Sequence, residues 1–87
     1  MDDAEPAFYG VIPKNSAEDV RVALTEFNGH DLVDVRIFTD FRAGAAQVRG
    51  PTKNGVSLNV TALPALIEAL GRARDEAERR GLIGGGR

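Results

Sequence analysis

The chain has no cysteine and no tryptophan, and its single histidine is His30. Without cysteine there can be no disulfide scaffold, no thiolate zinc site and no thiol nucleophile. One histidine excludes histidine-rich metal sites and any paired-imidazole centre. No apolar run approaches the roughly 20 residues of a membrane-spanning helix. The opening Met1-Asp2-Asp3-Ala4-Glu5-Pro6 is acidic, unlike a secretory signal. The expectation is a soluble, cytoplasmic protein without cofactor or membrane partner. What is present is ordinary for a globular fold: 43% hydrophobic and 28% charged residues. Eighty-seven residues make one small domain. Such a monomer buries only about 60–65% of its unfolded surface, so help from a second chain is expected.

The net charge of −2 argues weakly against a polyanionic partner, but its distribution matters more than its sum. Asp2, Asp3, Glu5, Glu18 and Asp19 stand against Lys14 alone, so the acidity sits in an N-terminal stretch outside the expected core. The centre is mildly basic, through Arg21, Arg36, Arg42, Arg49 and Lys53. That permits phosphate binding without requiring it.

Residues 1–6 read as a disordered acidic segment, 7–82 as the domain and 83–87 as a flexible Gly-rich tail. A first strand is expected from Ala7 to Ile12, closed by Pro13, with Asn15–Asp19 as a loop. Asn28-Gly29 marks a two-residue type I′ hairpin, because both central positions need positive φ. That turn pairs Phe27 with His30, Leu24 with Val33, Val22 with Val35 and Val20 with Ile37, which makes one face wholly apolar. Arg21, Ala23, Thr25, Phe27, His30, Leu32, Asp34, Arg36 and Phe38 share the other. Asp40–Pro51 reads as a long connection or a poorly patterned strand, and Asn54–Leu58 as a further short strand. A helix follows to about Arg80, capped at Thr61 so that Pro64 takes the third helical position, with Gly81 at its C-terminal end. Capping at Asn59 would set Pro64 too deep.

The helix carries Leu63, Leu66, Ile67 and Leu70 in one stripe, beside a second of Ala62, Ala65, Ala69, Ala73 and Ala77. Together they span an arc of roughly 200°, wider than one sheet face can cover. Either the alanines are simply good helix formers, or Ala62, Ala65, Leu66, Ala69 and Ala73 form a homodimer interface. The i,i+4 pairs Glu68–Arg72, Asp75–Arg79 and Glu76–Arg80 read as a solvated face.

For an enzyme the inventory is poor. His30 with Asp31 or Asp34 lacks a nucleophile, Ser57 lacks an elbow context, and Gly50–Gly55 lacks the Gly-Lys-Ser/Thr of a phosphate loop. The polar hairpin face is more informative. Arg21 and Arg36 are directly opposed, which destabilises a sheet unless an anion or an acid answers them. Either Asp34 neutralises the arginines and the aromatics cover a second layer, or a ligand anion sits there. Flat rings and cations interleaved are what a single-stranded nucleic acid needs.

Arg21 to Arg36, with Phe27-Asn28-Gly29 and Asp34-Val35-Arg36, then Gly55-Val56-Ser57-Leu58-Asn59 and a helix, resembles the transcriptional coactivator positive-cofactor-four family over residues 20–80. Short bacterial members with a segment like Ile12-Pro13-Lys14-Asn15 are the most similar. The resemblance implies an α+β fold: a four-stranded antiparallel sheet followed by one C-terminal helix, dimerising through the helix. It also implies non-sequence-specific binding of single-stranded DNA across the sheets. Carried over by position, Phe27 stacks on a base and Gly29 allows close backbone approach. Arg36, Arg21 and Lys53 fall at basic positions, while Lys14 and Arg49 are looser matches. With His30 and Phe38 these residues make the candidate site. Asn28, His30 and Asn54 stand where the family has lysines, and Thr39 where it has tryptophan. Fewer cations imply weaker binding and a shallower salt dependence.

Two functions follow. One is a homodimeric, nucleoid-associated single-stranded DNA-binding protein of transcription or genome maintenance, with RNA a candidate because stacking and phosphate contacts do not distinguish the sugar. The other is an interaction module for a protein of the transcription machinery, on the same scaffold without DNA.

Overall fold

The computed structural model describes residues 8–84. The acidic segment 1–6 and the last three residues of the Gly-rich tail lie outside them. Four strands, β1 (Phe8–Asn15), β2 (Glu18–Phe27), β3 (His30–Ala43) and β4 (Ala46–Asn59), precede a 3-10 turn (Val60–Ala62) and one helix, α1 (Leu63–Arg79). The strands form a single antiparallel meander in the order β1-β2-β3-β4, as expected.

The β2–β3 register is the one that Asn28-Gly29 dictates, with Phe27 opposite His30 and Val20 opposite Ile37. Asn28 (φ 52) and Gly29 (φ 78) both take the positive φ that a type I′ turn demands. Elsewhere the strands run further than the sequence pattern suggests. Pro13 does not close β1; it pairs with Asp19 on the sheet edge, where a missing N–H is tolerated. The Asn15–Asp19 loop shrinks to a turn at Ser16-Ala17, held by the Asn15 side-chain oxygen accepting from the Ala17 amide at 2.9 Å.

The largest correction concerns Asp40–Pro51. Of its two readings the strand holds and the long connection does not: it is the distal half of a β3–β4 hairpin, in which Asp40 faces Arg49 and Phe41 faces Val48. Gly44, at φ 64, opens its two-residue turn. The strand pattern is hidden by an irregularity: the ladder steps from Arg36–Gly55 to Phe38–Pro51, so Thr52, Lys53 and Asn54 bulge opposite Ile37 alone. The Thr52 hydroxyl donates to the Ile37 carbonyl at 2.8 Å and accepts from the Asn54 amide at 3.0 Å, which satisfies groups the bulge frees from the ladder.

The helix start also differs. Asn59 is the capping side chain, accepting from the Thr61 amide at 3.0 Å. It caps a 3-10 turn rather than the α-helix, so Pro64 still falls in the first α-helical turn, where no backbone bond is lost. At the other end Gly81 (φ 74) donates to the Glu78 carbonyl at 3.0 Å, and the Leu82 amide to that of Ala77 at 2.8 Å. This pair of bonds is the Schellman motif that Gly81-Leu82 predicts.

One sheet face collects Val20, Val22, Leu24, Val33, Val35 and Ile37, extended by Ile12 on β1 and by Val56 and Leu58 on β4. Among the described residues only Val33 (1%) and Ala23 (6%) are buried apolar side chains. Leu24 and Val56 stay nearly half exposed, and Ile67 and Leu70 on α1 are 63% and 60% exposed. The alanine flank at Ala65, Ala69 and Ala73 is exposed as well, with Ala62 and Leu66 half-buried.

Candidate functional site

The opposite sheet face is polar, and strand alternation builds it. Asp19, Arg21 and Ala23 of β2 share it with Asp34, Arg36, Phe38 and Asp40 of β3, and with Arg49 and Ser57 of β4. Arg21 and Arg36 do stand directly opposite each other. Each is answered by an acid two residues back on its own strand, so the tripeptide Asp-Val-Arg occurs twice, at 19–21 and 34–36.

Arg21 makes a forked pair with Asp19, Nε to Oδ1 at 2.8 Å and Nη2 to Oδ2 at 3.2 Å. Its guanidinium carbon lies 4.4 Å from the centroid of Phe38 and 5.1 Å from that of Phe8. Those two rings meet edge to face at 5.5 Å, so the cation is held over an aromatic floor. Asp19, only 7% exposed, also accepts from Arg49 Nη1 at 3.0 Å. Arg49 in turn donates Nε to Asp40 at 2.6 Å and Nη2 to the Ser16 carbonyl at 3.3 Å. Arg36 grips Asp34 through Nε (3.0 Å) and Nη2 (2.7 Å), the Thr52 carbonyl through Nη1 (3.2 Å) and Ser57 Oγ through Nη2 (3.3 Å).

Phe27 and His30 face each other across the β2–β3 turn, about 20 Å along the strand from Arg21. Phe27 is 67% exposed, a ring offered to solvent. Gly29 occupies the turn with nothing near the position a Cβ would take. Lys53 is exposed in the β4 bulge, and Lys14 reaches Glu18 at 3.0 Å beside the β1–β2 turn. The site therefore has three parts: an aromatic tip, a stacked arginine and a lysine bulge. Sequence reasoning did not anticipate Asp19, Asp40, Phe8, Thr52 or Ser57 here. The doubled Asp-Val-Arg was the available signal for Asp19, since an i,i+2 pair on a strand shares a face.

Electrostatics follow from these contacts. The hydrogen bond from Arg21 holds the Asp19 carboxyl below its ordinary 3.8, against the opposing effect of burial, and Arg49 adds to the lowering. Arg36, then Ser57, lower Asp34 in the same way. Asp34 raises Arg36, and Asp40 followed by Asp19 raises Arg49. A carboxyl depressed by folding adds stability above its unfolded value, and that stability disappears as pH falls through its folded one. Thermal stability should thus stay level through neutrality and fall below about pH 4. Asp34→Asn should cost on the order of 1 kcal/mol at pH 7 and flatten the acid limb. Melts across pH check this, and an unaltered acid limb in the variant would refute it.

Comparison with known proteins fits the geometry. The family model described as Transcriptional Coactivator p15 (PC4) matches residues 14–69. A PC4 homologue from Burkholderia pseudomallei is similar in fold in two crystal forms. The tetragonal form is 24% identical with a TM-score of 0.68, covering 80% of this chain and 98% of its own. The orthorhombic form is 23% identical with a TM-score of 0.68, covering 85% and 96%. A search of curated proteins finds no match.

Proposed function

This chain belongs to the transcriptional coactivator p15 (PC4) family, which points to a nucleic-acid-binding or transcription-related role, and we propose that it binds single-stranded DNA as a homodimer without sequence specificity. The observation that carries the proposal is the polar sheet face, where the exposed Phe27 ring and the Arg21 guanidinium on its aromatic floor share one surface, with Lys53 exposed in the adjoining β4 bulge. Rings accept bases of any identity, and cations accept the phosphates between them. On this reading the protein works without catalysis or cofactor, in the cytoplasm with the nucleoid. The exposed apolar stripe of α1 supports the homodimer, since Ile67 and Leu70 stay largely uncovered among the described residues.

A labelled oligo-dT titrated with protein at several salt concentrations, with duplex of equal length beside it, tests the proposal. Single-strand preference that weakens as salt rises is expected, with a slope near 0.7 per phosphate contacted. Phe27→Ala should weaken binding about tenfold, because one base–aromatic stack is worth roughly 1–3 kcal/mol. Absence of binding at low salt would instead favour the protein-interaction reading. The self-neutralised arginines, each already holding an acid, are the feature that supports that alternative.

A further inference from the structure

The two opposed arginines occupy equivalent positions, yet their donors are spent very differently. A guanidinium has five N–H groups in a fixed planar fork. Arg36 commits four of them: Nε and one Nη2 hydrogen to Asp34, the other Nη2 hydrogen to Ser57, and one Nη1 hydrogen to the Thr52 carbonyl. Those partners come from β3, from Thr52 within the β4 bulge and from Ser57 beyond it. Arg21 commits only two, Nε and one Nη2 hydrogen, both to Asp19. Among the described residues its end-on pair, Nη1 with the second Nη2 hydrogen, has no protein acceptor.

We infer that Arg21 is the phosphate ligand of this face, and that Arg36 is a strut that fixes the β3–β4 bulge. The inference rests on the single-strand-binding reading and divides its site between the two arginines. The unspent end of Arg21 offers two parallel donors, the arrangement that matches two non-bridging oxygens of a phosphodiester. Its plane is already fixed, because Phe38 and Phe8 lie beneath it and Asp19 grips its side. Asp19 is itself tied to Arg49, so the guanidinium loses little freedom when a phosphate arrives. Asp19 acts here as a positioning residue. Arg36 keeps one hydrogen and no fork, so it cannot take a phosphate in two-point fashion without releasing Asp34, Ser57 or Thr52.

The experiment is the oligo-dT titration repeated over a salt series for the full chain, Arg21→Gln, Arg21→Lys and Arg36→Ala, with a thermal melt of each. Arg21→Gln should lose about tenfold in affinity and lower the salt slope by about 0.7, one phosphate contact. Arg21→Lys keeps a cation beside Asp19, and with it the fold. It should hold the slope but bind severalfold more weakly, for want of a second parallel donor. Arg36→Ala should melt several degrees lower and leave the slope unchanged. A full-chain slope that Arg21→Gln does not alter, or one that Arg36→Ala lowers by the same 0.7, overturns the assignment while leaving single-strand binding intact. No oligo-dT binding by the full chain at low salt overturns the functional reading itself, and the assignment with it.

Discussion

Gly55→Ala should lower the melting temperature by roughly 10–20 °C, the largest drop of any single methyl addition in the sheet. Gly55 stands opposite Arg36 at the step where the β3–β4 ladder resumes after the Thr52–Asn54 bulge. Its φ of 153 belongs to the range that side-chain-bearing residues rarely adopt. A Cβ there would sit 2.8 Å from the Arg36 Cα and closer still to the Val35 carbonyl oxygen. Both obstacles are backbone, so no rotamer change relieves them, and β3 must move away from β4 at the residue where Arg36 ties the bulge. Overpacking and an adverse φ together cost about 3 kcal/mol, a large share of the 5–15 kcal/mol typical of a whole domain. Two other glycines calibrate the effect. At Gly29 nothing lies within 4 Å, so alanine there bears only the positive-φ penalty of about 1 kcal/mol. At Gly50 the obstacle is the Phe41 ring at 3.2 Å, a half-exposed side chain that can turn aside. Equal melts for Gly55→Ala and Gly29→Ala would show that the bulge is not the rigid joint described.

The same joint explains what could and could not be read from the chain. The β2–β3 hairpin was readable because two independent signals agree: Asn28-Gly29 sets the turn, and three apolar pairs alternate from it without a break. The distal β3–β4 hairpin was not, although Phe41–Val48 and Asp40–Arg49 pair as regularly as any strand. The bulge adds two residues to β4, so Val48 and Val56 keep the same face, but Gly50, Thr52 and Asn54 fill the apolar-face positions between them and the period-2 apolar signal is interrupted midway. The start of α1 is obscured for another reason: an α-helix beginning at Asn59 would set Pro64 too deep, whereas a 3-10 turn delays the α-helical start by three residues. At the site the ring and cation positions were legible, but their pairing was not. Asp19 belongs by composition to an acidic N-terminal stretch, and by strand alternation to the Arg21 face. Burial beneath two arginines shows that alternation governs.

On the proposed homodimer, Ala69→Glu should leave a largely unfolded monomer at micromolar concentration. A single chain buries one valine and one alanine among its described apolar residues, while Leu24, Val56, Ile67 and Leu70 each keep between 45% and 63% of their surface in water. Fully burying one such side chain is worth about 1.5–3 kcal/mol, so in the proposed dimer most of the stabilisation these residues can supply would come from the second chain. The helix presents Ile67 and Leu70 beside the exposed small residues Ala65, Ala69 and Ala73, over which a second helix can approach closely. A two-fold axis through that flank would bring the Ala69 positions of both chains into the contact, so each glutamate would be buried twice over against apolar neighbours. An unpaired charge in such a contact costs several kcal/mol. In the proposed dimer, folding of each chain would be coupled to the association, so mass action would convert that loss into unfolding rather than into a stable monomer. Sedimentation and circular dichroism at graded concentrations should show a concentration-dependent melt for the parent and little helical signal for the variant. Glu68→Ala, on the face where Glu68 pairs with Arg72 in solvent, should leave both unchanged. A parent that sediments as a folded monomer at micromolar concentration would end the dimer proposal. A folded, dimeric Ala69→Glu protein would move the interface off the alanine flank and onto the open sheet face.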